Sequence, residues 1–152
     1  MIDKELEMTR MFVSGVALGL VAVAGVPAGA QSVQRSQQHD YRVVTVADGL
    51  VQPWAIAWLP SGDALVTERP GRLRIVRGGK LLPQAVAGVP PVVFQGQGGL
   101  LEVAVHPNFA ANKFVYLTYS KAKADGSGAT TALVRGTFEN DRLTNVQPLF
   151  ES

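Results

Sequence analysis

The chain has 152 residues and a formal net charge of +2, from 14 Lys and Arg against 12 Asp and Glu. Charged residues make up only 17% of it, are scattered, and form no basic stripe interleaved with aromatics, which argues against nucleic acid as a partner. With 16 Gly and 9 Pro the composition suits one turn-rich β domain rather than a helical bundle, and the absence of Cys removes thiol ligands, thiol nucleophiles and disulfides.

Residues 1–30 read as a secretory signal peptide. Lys4 and Arg10 precede an apolar run over 11–24, and Ala28-Gly29-Ala30 is a small-residue cleavage site. The run is short for a membrane span and Pro27 interrupts its end, so no stable span is expected after cleavage; an uncleaved anchor is the competing use. Met8 is an alternative start, because Asp3, Glu5 and Glu7 are foreign to a signal n-region. The mature protein is therefore expected to be periplasmic or secreted. Residues 31–40 are polar and without periodicity, and are expected to form a flexible tether with His39 solvated.

From residue 41 onward the pattern is strand, turn, strand. Strands are expected over 41–46, 54–59, 64–67 and 72–77, separated by Asp48-Gly49, Pro60-Ser61-Gly62-Asp63 and Pro70-Gly71. In the last of these Leu73 and Ile75 share one face, and Arg72 and Arg74 the other, which is expected to be solvated. Gly78-Gly79 is a hairpin signal, and 81–93 is a proline-punctuated connection. Further strands are expected over 101–105, 114–119 and 130–138, with a weak one near 146–150 and a loop over 121–129. Nothing after residue 30 carries a helical period.

The strands repeat. Ile56-Ala57-Trp58-Leu59-Pro60 matches Val103-Ala104-Val105-His106-Pro107 at an offset of 47 residues. Leu65-Val66-Thr67-Glu68 then answers Val115-Tyr116-Leu117-Thr118, and residues 72–77 answer 131–136. Units of this length with about four strands each are the signature of propeller blades, which stack because one small sheet cannot bury both faces alone. Residues 41–152 supply little more than two such units, so the chain is expected to be a piece of a larger propeller.

Few residues offer chemistry. Gly96-Gln97-Gly98-Gly99-Leu100-Leu101 is a glycine-rich turn carrying one amide before an apolar strand. It lacks the Lys-Ser/Thr of a phosphate loop and precedes a strand, not a helix. Two uses of Gln97 fit: it presents its amide, both donor and acceptor, to a ligand, or it stabilises its own loop. His106 ends an apolar strand directly before Pro107, a position that favours a scaffold role over general-base work. Glu68-Arg69 fits a turn-stabilising pair or a charge pair at a cavity rim. Trp54 and Trp58 share a strand face and are expected to pack between blades, with sugar stacking as the lesser use. Asp125-Gly126-Ser127-Gly128 is too poor in carboxylates for a calcium loop, so no metal ligand is assigned, and two histidines in these settings do not build a Ser-His-Asp triad.

The run from Gly96 to Phe109, together with Pro53-Trp54-Ala55-Ile56-Ala57 and Leu65-Val66-Thr67-Glu68-Arg69-Pro70-Gly71-Arg72-Leu73, resembles the glucose/sorbosone dehydrogenase family. The resemblance covers roughly residue 41 to the end. It implies a six-bladed β-propeller, of which this chain holds the first two or so blades, and a soluble aldose sugar dehydrogenase that uses pyrroloquinoline quinone (PQQ) and calcium and passes electrons to an external acceptor. It also implies that Gln97 lies beside both quinone and sugar. The family's catalytic histidine, basic cofactor ligands and calcium ligands have no counterpart here, so no catalytic residue is assigned and the chain alone is expected to be inactive. Glu102 and Asn108 depart mildly from the family pattern. A non-enzymatic exported propeller acting as a binding module, or a remnant without activity, are the alternatives.

Overall fold

The computed structural model describes residues 33–152, so the signal peptide expected over 1–30 lies outside the described residues. The chain divides into two compact units at Val43 and Val44. In the first, β1 (Val33–Arg35) pairs antiparallel with β2 (Asp40–Arg42), and every residue of both is exposed. Ser36 closes the tip: its Oγ donates to the His39 carbonyl at 2.6 Å and accepts the His39 N–H at 3.0 Å. This hairpin, in the segment where a tether is expected, owes its shape to local hydroxyl–backbone bonds rather than to apolar burial. The strand expected over 41–46 is confined to Tyr41 and Arg42, and 43–50 has no regular secondary structure.

The second unit is two four-stranded antiparallel sheets, each ordered as the chain runs. The first holds β3 (Pro53–Trp58), β4 (Ala64–Glu68), β5 (Arg72–Arg77) and β6 (Lys80–Leu81). The second holds β7 (Leu100–Val105), β8 (Phe114–Ala122), β9 (Ala129–Glu139) and β10 (Arg142–Glu151). Gly78 and Gly79 form the expected two-residue hairpin with φ of +57° and +73°, the left-handed pair that a type I′ turn needs. One four-residue helix, α1 (Phe109–Asn112), interrupts the β pattern. It is too short to carry a helical period, and its C-cap is Lys113 in the left-handed region.

The two sheets share one core. Leu65, Leu73 and Ile75 of the first pack in a single cluster with Leu100, Val103, Val115, Leu117, Tyr119 and Val134 of the second. Strand β7 lies against both β3 and β4. The other face of the first sheet buries a smaller apolar cluster, Ala64, Val66 and Val76, covered by Ala47, Leu50 and Leu81, with Glu68 and Arg74 buried beside it. At the rim Arg77 spans the sheets, with Nε 2.8 Å from Asp63 and Nη2 2.7 Å from Asp141; these carboxylates raise its pKa.

The internal repeat is present with a register one residue away from the sequence expectation. Each first strand has a bulge, between Pro53 and Ile56 and between Leu100 and Val103. Each bulge is plugged by a threonine from the next strand: Thr67 Oγ1 accepts the Ala55 N–H, and Thr118 Oγ1 the Glu102 N–H, both at 3.0 Å. Ile56 faces Val66 and Val103 faces Leu117, so Val66 corresponds to Leu117, not Tyr116. By the same ladder Arg74 corresponds to Val134 and not Leu133. A one-residue slip exchanges the two faces of a strand, so the corrected register decides which side chains are equivalent.

Trp54 and Trp58 depart from expectation too. Together with Ile56 they stand 51–58% exposed, because no sheet among the described residues packs on that face of β3. On the equivalent face of β7, Val103 is buried in the core shared with the first sheet and Val105 packs on it.

Candidate glycine-glutamine site

The turn that carries Gln97 sits where the chain enters β7, and three other residues hold it. Gly98 N–H donates to the Gln95 carbonyl at 2.8 Å, closing the turn. Ser120, on β8, accepts the Gly99 N–H on its Oγ at 3.1 Å and donates its own N–H to the Gly99 carbonyl at 2.9 Å. Arg69, between β4 and β5, donates from Nη2 to the carbonyls of Gly96 and Gly98. Its own carbonyl accepts the Leu100 N–H at 2.9 Å. Glycine is required at this last contact: a Cβ on Gly99 would lie 2.5 Å from the Arg69 carbonyl oxygen, at φ +148°.

Gln97 itself is exposed, and its amide makes no hydrogen bond to the protein among the described residues. Of its two uses, stabilising its own loop therefore has no bond to rest on, while the amide is free to donate and accept.

His106 stands at the other end of β7. A strand of six residues separates it from the turn by about 20 Å. Its Nδ1 accepts the Asn108 N–H at 2.9 Å and lies 2.9 Å from Asn112 Nδ2, while the ring stacks on Tyr116 and meets Phe114 edge-on. With Nδ1 accepting, the ring proton belongs on Nε2, and the histidine caps the entry to α1. It does not share a site with Gln97. His39 lies in the separate hairpin.

Glu68 and Arg69 do not pair. Glu68 is fully buried and accepts the Val51 N–H at 2.6 Å, Arg72 Nε at 2.5 Å and Arg74 Nη1 at 3.4 Å. Burial raises its pKa, but the Val51 bond and the two arginines outweigh that and hold it below the ordinary carboxylate value. The Arg72–Arg74 face is thus only partly the solvated face expected: Arg72 is exposed, but Arg74 is 9% exposed and also donates to the Leu82 carbonyl at 2.7 Å. A buried carboxylate on the neighbouring strand recruits these arginines, and no periodicity in the sequence signals that. The contribution of Arg69 to the turn also escapes the sequence, because Arg69 and Gly98 are 29 residues apart. The hint available was that Arg69-Pro70-Gly71 belongs to the same set of motifs as the glycine-glutamine run.

Among the described residues no group of three His, Asp or Glu side chains could hold a metal ion, and no helix is long and apolar enough to cross a membrane. A cleft of about 460 Å³ lined by Asp63, Arg77, Lys113 and Asp141 does not include Gln97.

Comparison with known proteins assigns the family. The model for glucose / sorbosone dehydrogenases matches residues 50–152. The chain is 46% identical over 133 residues to an uncharacterized Synechocystis protein, covering 82% of this chain and 32% of that one. It is 40% identical over 111 residues to the aldose sugar dehydrogenase YliI of Escherichia coli, covering 71% of this chain and 30% of the relative. The solved PQQ-bound form of aldose sugar dehydrogenase from Streptomyces coelicolor superposes with a TM-score of 0.63 at 28% identity, over 81% of this chain and 34% of that one. The chain thus spans about a third of the length of these relatives. It belongs to the glucose/sorbosone dehydrogenase family.

Proposed function

We propose that this chain is part of an exported oxidoreductase that oxidises the CH–OH group of an aldose sugar with PQQ as cofactor. The two sheets are taken as consecutive blades of a six-bladed propeller, and the activity is proposed for the whole protein, which delivers electrons to an external acceptor. The supporting observation within the chain is the uncommitted Gln97 amide on a turn held entirely by other residues. An amide that already completes its loop would have nothing to offer a ligand. This one can donate to a quinone oxygen and accept from a sugar hydroxyl.

The residues present fit PQQ as one wall of its site, since the turn offers the Gln97 amide with the Arg69 guanidinium beside it. Bound PQQ would accept the hydride, and with it both electrons, from the sugar carbon. This chain's part is to orient: Gln97 holds the partners in place, and the Arg69 and Ser120 bonds spare the turn from rearranging when they bind. No proton-abstracting group is assigned here, because His106 lies at the far end of β7 with Nδ1 engaged. Calcium does not fit the described residues, which gather no cluster of metal ligands.

Gln97→Ala in the whole protein tests this role. Losing one hydrogen bond worth about 1 kcal/mol is expected to lower kcat/KM for the sugar about fivefold, with a matching weakening of PQQ binding if the amide touches the cofactor. Unchanged kcat/KM and unchanged PQQ affinity would remove Gln97 from the site.

A further inference from the structure

We propose that Arg69 is a positioning residue for the Gln97 turn, an inference that takes from the proposed function the placing of Gln97 at the sugar-and-quinone site. Arg69 is itself fixed before it fixes anything else. Its N–H donates to the Gln52 carbonyl at 3.1 Å and its carbonyl accepts the Leu100 N–H at 2.9 Å, so the main chain ties β3, the β4–β5 turn and β7 together. From that anchor one guanidinium nitrogen reaches the carbonyls on both sides of Gln97, those of Gly96 and Gly98. Its Cζ lies 5.8 Å from the Trp54 centroid and 5.2 Å from that of Phe94, within cation–π reach of both rings.

The arrangement is not the one a surface arginine would choose. Arg69 ignores Glu68, its neighbour in sequence, which is satisfied by Arg72 and Arg74. It also leaves its own Nε buried without a partner, a cost that only a more demanding requirement elsewhere in the side chain would impose. That requirement is the pair of carbonyls on either side of the glutamine. A lysine ammonium also carries donors for two carbonyls, but it is compact and strongly hydrated and lacks the planar group that faces the two rings, so it is expected to hold the turn less firmly. Gly99 completes the clamp from the other side, since its missing Cβ is what lets the Arg69 carbonyl approach.

Arg69→Lys, read by amide hydrogen exchange on the full chain, tests the clamp. Exchange over residues 95–100 is expected to quicken about tenfold as two hydrogen bonds to the turn weaken, while amides of β5 keep their protection. Unchanged exchange in the turn, or equal quickening in β5, would overturn the clamp, the second outcome making Arg69 a general structural residue. Should Arg69→Lys fail to hold the sheets, Phe94→Leu removes one flanking ring and is expected to speed the same amides about threefold; no change there counts equally against it. In the whole protein loaded with PQQ, Arg69→Lys and Gln97→Ala are expected to be non-additive in kcat/KM, because both remove the same oriented amide. Additive losses would overturn positioning through Gln97. If Gln97→Ala alone changes nothing while the turn still loosens in Arg69→Lys, the proposed function of Gln97 fails and the clamp stands.

Discussion

Glu68 of the first sheet and Tyr119 of the second occupy the same place in the repeat, yet one is a buried carboxylate and the other a buried ring. Their neighbours differ in step: Arg72 and Arg74 on β5 correspond to Ala132 and Val134 on β9. The second sheet turns this face toward the first sheet, and apolar side chains close it. Among the described residues, the first sheet has only the segment near Ala47, Leu50 and Val51 across the same face. A loop brings main-chain N–H groups as well as side chains, and Glu68 satisfies one of them while gathering two arginines over the gap. The repeat therefore preserves backbone devices, the bulge and its threonine plug, and leaves the face residues to suit whatever packs on them.

The largest effect expected from breaking this contrast is at Glu68. Removing it leaves Arg74, with 11% of its side chain exposed, beside an unpaired Val51 N–H. Glu68→Ala is expected to cost about 3–5 kcal/mol, seen as a lower urea midpoint, whereas Glu68→Leu with Arg74→Met should recover at least half of that loss. Failure of the double variant to recover would mean that the charges, and not merely the filling of the gap, are required. The pH dependence has a definite sign. Because the folded carboxylate titrates below its ordinary value of 4.5, its stabilisation is present above about pH 4.5 and fades as pH falls through the lower folded value. Glu68→Gln should flatten the stability profile in that acid window and leave its shape unchanged above it.

A smaller effect is expected where the two sheets differ in size rather than charge. Gly136 corresponds to Val76, and a Cβ on Gly136 would lie 2.6 Å from the Leu143 side chain. Leu143 comes from β10, which is ten residues long where β6 has two, so the longer outer strand fills the space that a valine fills in the first sheet. Gly136→Val should cost about 1–3 kcal/mol by overpacking, and adding Leu143→Ala should restore part of it. A loss undiminished in the double variant would place the strain in the backbone instead.

Most strands of the second unit were legible because alternation and turn residues agree: β5 and β7 end within one residue of expectation, and the Gly78-Gly79 hairpin is in place. The repeat was legible in kind but slipped by one residue, since Val115 to Leu117 offers apolar side chains on either register and only the Thr118 plug, a hydrogen bond, distinguishes them. Glu68 and Arg74 were misjudged because a buried ion pair has the same sequence pattern as a solvated one. The Gln97 turn could be picked out from its glycines, but what holds it could not, because Arg69 and Ser120 lie more than twenty residues away on either side. The sheet face at Trp54 and Trp58 marks a third kind of limit: packing between units is invisible when the neighbour is not among the described residues.

The threonine plugs give the finest test of what the repeat copies. Both hydroxyls accept a bulge N–H at 3.0 Å, but Thr67 also donates to the Leu101 carbonyl of the second sheet at 2.6 Å. Thr67 is fully buried, whereas Thr118 is only half-buried, so water can replace a bond lost there. Replacement by valine keeps the branched shape and removes only the hydroxyl. Thr67→Val should therefore cost about 1–3 kcal/mol, by stranding the Ala55 N–H and the Leu101 carbonyl together, and Thr118→Val about 0.5–1.5 kcal/mol. Urea midpoints of the two variants measure the difference. Equal losses would mean that the bond between sheets adds nothing, and that each plug serves only its own bulge. A larger loss at Thr67 would make the hydroxyl a joint between sheets, with the same atom fixing a local irregularity and the spacing of the repeat.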